Sequence, residues 1–146
     1  MRVNTFYFAL VVLLYFYSNS NLILCNISLQ SNDIREGHNI NNKFTPQGND
    51  ISPAFLVSGI SPKSKSLAFV LNDPDAPNGL FTHWAVVNIS TALTIIEAGA
   101  VPGEEITNSW GEKKYKGPSP PYHQRHRYVF TIYELDIEHK IGRAHV

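Results

Sequence analysis

The chain lacks both covalent staples and a charge surplus. Of its 146 residues only Cys25 is a cysteine, so no intrachain disulfide and no multi-cysteine metal cluster can form. Basic and acidic side chains balance at 12 each, which removes the positive excess with which nucleic-acid binders neutralise phosphates. There is no close metal-ligand pair of the HExxH kind, and no segment of helical length repeats its apolar residues every 3.6 positions. What is present is a composition that is 43% hydrophobic and 12% aromatic. It excludes disorder, coiled coil and collagen-like fibre, and it suits one globular domain held by packing alone.

The front of the chain is set apart. Arg2 is the only charge before Asp33, and Phe6 to Tyr17 is continuously apolar or aromatic ahead of Ser18-Asn19-Ser20-Asn21. A basic start, an apolar run of about a dozen residues and a polar stretch form the order of a secretory signal, whereas a spanning helix needs roughly 20. The expectation is a removable signal peptide over residues 1–25, cut after Ser20 or after Cys25, and an exported protein, secreted or periplasmic. A lipoprotein anchor at Cys25 competes with this reading, but large Leu24 stands where a small residue is needed. An uncleaved anchor extended through Leu22–Leu24 is interrupted by Asn19 and Asn21. At the other end, Ile141-Gly-Arg-Ala-His-Val146 matches the translation of a common sequencing-adapter tail, so the natural chain is expected to have been cut off there and the domain to be truncated at its C-terminus. An ordinary polar terminus is the alternative.

Between these ends the pattern is mainly β. Residues 26–66 are rich in Asn, Ser, Gly and Pro and read as loops and short strands. Leu67–Leu71 is a compact apolar run entering the turn-prone Asp73-Pro74-Asp75-Ala76-Pro77-Asn78-Gly79, and His83–Ile89 is a second β-branched, aromatic stretch. In Tyr128–Leu135, Tyr128, Phe130 and Ile132 share one face and Val129, Thr131, Tyr133 and Leu135 the other. Both faces are largely apolar, which predicts a central strand. Thr91–Ala98 is long enough for a helical turn or two. Residues 109–125, with two glycines and three prolines, form a long loop.

Three pieces at strand ends carry the chemistry: Asp73-Pro74-Asp75-Ala76-Pro77, His83-Trp84, and Tyr115-Lys116-Gly117-Pro118-Ser119-Pro120-Pro121 running on to His126-Arg127-Tyr128. If the strands are sheet neighbours, an acid, two imidazoles, a phenol and free backbone N–H groups around Gly117 converge on one cup. Lys113, Lys114, Lys116, Arg125 and Arg127 fall in a stretch with no acid from 113 to 127, a field that favours a small anion of phosphate type. Asp73 is then expected to accept an N–H from His83 or His126 and aim the opposite ring nitrogen at the ligand. Taken singly, each residue has a plainer role: Asp73 and Asp75 as turn formers, His83 as a strand histidine, the lysines as a solvated loop, and Phe81, Trp84 and Tyr133 as core or wall.

In combination these stretches resemble the phosphatidylethanolamine-binding protein family, its bacterial Raf-kinase-inhibitor-like branch in particular. The resemblance rests on Asn49-Asp50-Ile51-Ser52-Pro53, on Leu67–Pro77 (LAFVLNDPDAP), on His83–Ile89 (HWAVVNI), and on YKGPSPP followed by HRYVFTIYELD through Asp136. It implies an antiparallel β-sandwich, a large sheet packed on a smaller one, over residues 26–140. The closing strand and C-terminal helix are not recognisable before the chain ends. Carried over position by position, it implies ligand contacts at Asp73, Pro77, His83, Tyr115, Gly117, Pro120, Pro121, His126 and Tyr128, with Ser119 beside them in a position often held by Gly or Ala. Val57, Lys114 and the link Tyr122-His123-Gln124-Arg125 depart from the usual pattern.

The function so implied is non-enzymatic binding of a small anionic, phosphate-type or phospholipid head group, with a modulated kinase or protease as the kind of protein partner the family suggests. No catalytic residue, cofactor, metal or nucleic acid is expected, and membrane contact is expected only through the ligand or the N-terminal segment. Two alternatives have residues to name. A Ser119–His126–Asp73 hydrolase would need an oxyanion N–H after the serine, where Pro120 has none. A zinc site from His83, His126 and an Asp would sit among bases that repel a cation.

Overall fold

In the computed structural model, residues 26–138 are described. The expected signal peptide, the adapter-like tail and any C-terminal closing elements lie outside them. Among the described residues, seven strands form two antiparallel sheets. The smaller has the order β1 (Ser28–Gln30), β2 (Phe55–Ser58), β5 (Ile95–Ile96), and the larger the order β6 (Glu104–Glu105), β4 (Phe81–Ile89), β3 (Ser66–Asp73), β7 (Val129–Leu135). A single 3-10 turn at Asn42–Phe44 is the one helical element among the described residues, and the Asn41 side chain caps it by accepting from Lys43 N.

The sheets meet through one apolar core, to which Ile27, Leu29, Phe55, Val57 and Ile96 contribute from the small-sheet side and Phe69, Leu71, Trp84, Val86, Phe130 and Ile132 from the large sheet. Phe55 packs edge-on to Phe69 at 5.0 Å and against Phe130 at 4.8 Å, bridging the layers. Each fully buried large side chain of this kind contributes about 1.5–3 kcal/mol, so the interlocked rings offset the missing disulfides. Val57, one of the departures from the family pattern, is simply buried here.

Two expectations change. Tyr128–Leu135 is not central: β7 pairs with β3 alone and forms the edge of the larger sheet among the described residues, while β3 lies between β4 and β7. Alternation of two reports which face a residue takes, not how many neighbours the strand has. Tyr133 is correspondingly exposed, neither core nor wall. Thr91–Ala98 forms a turn leading into β5 instead of a helix, because Ile95 and Ile96 pair with Leu56 and Phe55 and tertiary pairing overrides a weak local preference.

The β3–β4 ladder carries the feature that shapes the site. Leu71 faces Trp84 while Asn72 faces Thr82, so His83 has no partner on β3 and is the extra residue of a β-bulge. Bulges twist a strand locally and re-aim a side chain. Because β3 ends, β4 begins and β7 begins at the same edge of the sheet, Asp73, His83 and the 126–128 segment are brought to that edge.

Candidate functional site

The acid and one imidazole form a buried pair. The His126 Nδ1–H donates to Asp73 Oδ2 at 2.7 Å, and both side chains are about 5% exposed. Asp73 Oδ1 accepts the Asp75 N–H at 2.9 Å, so the turn after β3 is folded around this carboxylate. Asp75 in turn holds Arg127 through the guanidinium, from Nη2 at 2.6 Å, and through the Arg127 N–H at 2.7 Å. The Arg127 guanidinium keeps the Asp75 carboxyl down at about 2. The first motif is thereby latched to the third.

His83 sits beside this pair in an aromatic box. Its ring is edge-on to Trp110 at 4.7 Å, to Tyr128 at 5.1 Å and to Phe81 at 5.6 Å. Nδ1 lies 2.9 Å from the Lys116 carbonyl, which can only accept, so Nδ1 carries the proton. Burial pushes His83 below the ordinary imidazole range, opposed by the Lys116 and Gly117 backbone and by the charges of Asp73 and Asp50. Near neutral pH it is therefore an uncharged ring.

Tyr128 is fully buried, and its hydroxyl has no hydrogen-bond partner among the described residues. The Asp73 carboxyl and the Ser119 backbone are close by, yet neither completes a bond. Burial, reinforced by the charge of Asp73, pushes the phenol above its usual range, so it stays protonated and able to donate.

Other sequence expectations are corrected. The Gly117 N–H is not free: it donates to Asp50 Oδ1 at 2.8 Å. Tyr115 gives its hydroxyl to the Phe44 carbonyl at 2.9 Å and packs edge-on to Trp84, so it braces the loop from within the core. His126 does not aim its second nitrogen outward, because Nε2 lies 3.0 Å from the Gln124 side chain. The base cluster is partly neutralised: Lys114 and Lys116 each stand 3.2 Å from Glu112, and Arg127 is taken by Asp75. Glu112 lies just upstream of the acid-free stretch, where a linear count misses it. Ser119 is exposed and Pro120 buried, while Pro77 and Pro121 are exposed on flanking turns. With both His126 nitrogens engaged, no Ser119–His126 hydrogen bond completes a triad. Among the described residues no three His, Cys, Asp or Glu side chains gather as metal ligands.

Asn108 and Trp110 were not singled out from the sequence. Asn108 is buried, donates to the Lys114 carbonyl at 3.0 Å and accepts from the N–H groups of Trp110 and Glu112 at 3.0 Å, folding the loop so that Trp110 covers His83. The Asn-x-x-Gly order of an Asx-type turn is the signal that marks it. A groove of about 510 Å³ lies elsewhere, lined by Ile27, Leu29, Ile34, Phe130 and Ile132 with Arg35 and Glu36, and contains none of the candidate site residues.

The model for phosphatidylethanolamine-binding proteins matches residues 30–145 of this chain. The chain belongs to the phosphatidylethanolamine-binding protein family. A UPF0098 protein of Chlamydia pneumoniae is 39% identical over 107 residues, covering 69% of this chain and 71% of the relative. One of Pyrococcus abyssi is 40% identical over 103 residues, 64% of this chain and 58% of the relative. Among solved structures, the phosphatidylethanolamine-binding protein homologue CT736 of Chlamydia trachomatis superposes with a TM-score of 0.74 at 34% identity, over 80% of this chain and 79% of that one. The family fold and the two-sheet arrangement agree.

Proposed function

We propose that the Asp73–His83–His126–Tyr128 cluster binds a small phosphate-type anion, without chemical turnover, as the phosphodiester head group of a phospholipid or as a free phosphate ester. One observation carries this reading: a buried, protonated phenol with no partner, flanked by a histidine pair and by Ser119. An unsatisfied buried hydroxyl costs about 1–3 kcal/mol, a debt that an oxyanion seated against it cancels. His126 and the exposed Ser119 supply further donors around the same point, His83 presents an unprotonated Nε2, and the loop retains Lys113 among its bases. His126 meets the ligand once Gln124 swings aside, a side-chain rotation that breaks one hydrogen bond worth about 1 kcal/mol. Export, and a protein partner modulated through the same face, complete the proposal. A secreted chain would not meet cytosolic kinases.

Titration calorimetry of the 146-residue chain with inorganic phosphate, phosphoethanolamine and vesicles containing phosphatidylethanolamine tests it. Binding of the two soluble ligands is expected, weakened about tenfold or more in His83→Ala and His126→Ala. Preference for vesicles over free phosphoethanolamine identifies the lipid as the source. Unchanged affinity in both variants refutes the site.

A further inference from the structure

The stretch Asn49-Asp50-Ile51-Ser52-Pro53 supplies no member of the cluster just described, yet it acts on His83. Asp50 has a positive φ of 52°, an uncommon conformation for a residue with a Cβ that persists only where the surroundings hold it. Its N–H donates to the Thr45 carbonyl at 3.2 Å, and its Oδ1 accepts the Gly117 N–H at 2.8 Å. That N–H and the Lys116 carbonyl belong to the same planar peptide group. At the opposite edge of that peptide group, the Lys116 carbonyl accepts from His83 Nδ1 at 2.9 Å. One amide thus joins a carboxylate to an imidazole.

We propose that Asp50 is a positioning residue that acts through the Lys116–Gly117 peptide to keep the His83 proton on Nδ1, leaving Nε2 as the acceptor presented to the ligand. If the peptide turned over, its N–H would face His83 and stabilise the opposite tautomer. Asp50 prevents this by holding the N–H, and hydrogen bonds in such a chain polarise and strengthen one another. Packing gives the same result, since the Gly117 Cα lies so close to the 3-10 turn that an added Cβ would stand 2.1 Å from the Phe44 carbonyl. The groups facing His83 are Asp73 from the end of β3, Asp50, the Lys116 and Gly117 backbone, the Tyr128 phenol and the rings of Phe81 and Trp110. The consequence for specificity rests on the head-group reading: a ligand meeting Nε2 must bring a hydrogen, as a singly protonated phosphate ester or an ammonium group does and a fully ionised ester does not.

Long-range proton–nitrogen NMR of the imidazoles in ligand-free protein tests the positioning, with melting curves to establish that each variant is folded. In the unmodified chain His83 should show a protonated Nδ1 and an unprotonated Nε2. Asp50→Ala should move a measurable share of the proton to Nε2. Asp50→Asn, which keeps an acceptor oxygen but no charge, should restore the Nδ1 tautomer while lowering the pH at which His83 titrates. A wild-type proton on Nε2, or a folded Asp50→Ala with an unchanged His83 spectrum, would overturn the inference. If Asp50→Ala does not fold, an unshifted titration in Asp50→Asn does the same. No ligand is added, so a failure to bind phosphate would remove the head-group reading and leave this one standing.

Discussion

Removing the Tyr128 hydroxyl separates stability from binding. In most folded proteins the substitution of a buried tyrosine by phenylalanine breaks a hydrogen bond and destabilises. Here there is no bond to break, and the desolvated hydroxyl costs roughly 1–3 kcal/mol, which Tyr128→Phe recovers with little change of shape. Taking the lower end, about 1 kcal/mol, a domain of this size should melt roughly 4 °C higher by calorimetry in phosphate-free buffer. The ring contact with His83 at 5.1 Å is untouched, so the packing of the box is preserved. Binding should move the other way. A hydrogen bond to a charged oxygen is worth about 1.5–3 kcal/mol, so phosphate or phosphoethanolamine affinity should fall roughly 10- to 100-fold. A variant that melts lower without ligand would show that the hydroxyl has a partner in the free protein. One that binds phosphate as tightly as the parent would show that the phenol does not meet the ligand. Either result refutes the reasoning.

Two further outcomes follow from the same geometry. Gly117→Ala puts a Cβ 2.1 Å from the Phe44 carbonyl and 2.8 Å from Asp50 Oδ1, an overpacking against backbone that should cost about 1–3 kcal/mol or more, and unaltered denaturant midpoints would contradict the close approach. Because burial depresses His83 in the folded state, the unfolded chain takes that proton first. Stability contributed by neutral His83 is therefore full above about pH 6.5 and declines as pH falls toward the lower folded value, by about 1.4 kcal/mol for each tenfold loss of proton affinity. Melting temperatures between pH 7.5 and 5 should fall less steeply in His83→Asn than in the parent, and parallel slopes would count against the burial of a neutral ring.

Part of the site was legible because its motifs end strands. Apolar runs broken by Asp-Pro-Asp-Ala-Pro and by the proline-rich loop mark where strands stop, and antiparallel pairing of β3 with β4 and β7 carries those stops to one edge. The Asp73–His126 bond follows from that convergence. The charge of the loop was not legible in the same way: five bases in a run look like an anion field, whereas Glu112 and Asp75 reach across to three of them. Ion pairing depends on distance in space, and acids just outside a window, or fifty residues away, leave no mark inside it.

The amino-acid order by itself determined that the domain is β-rich, packed without disulfides and built of four motifs in the order shared across a family. It did so because strand period, turn chemistry and motif spacing are local or linear properties. Among the described residues, the tertiary structure alone decided that β7 lies at an edge, that His83 is a bulged residue, that Asp50 grips the Gly117 peptide, and that the Tyr128 hydroxyl is buried with nothing to bond. Each of these depends on which atoms meet when segments distant in the chain are packed together, and on which polar group is left over once they have.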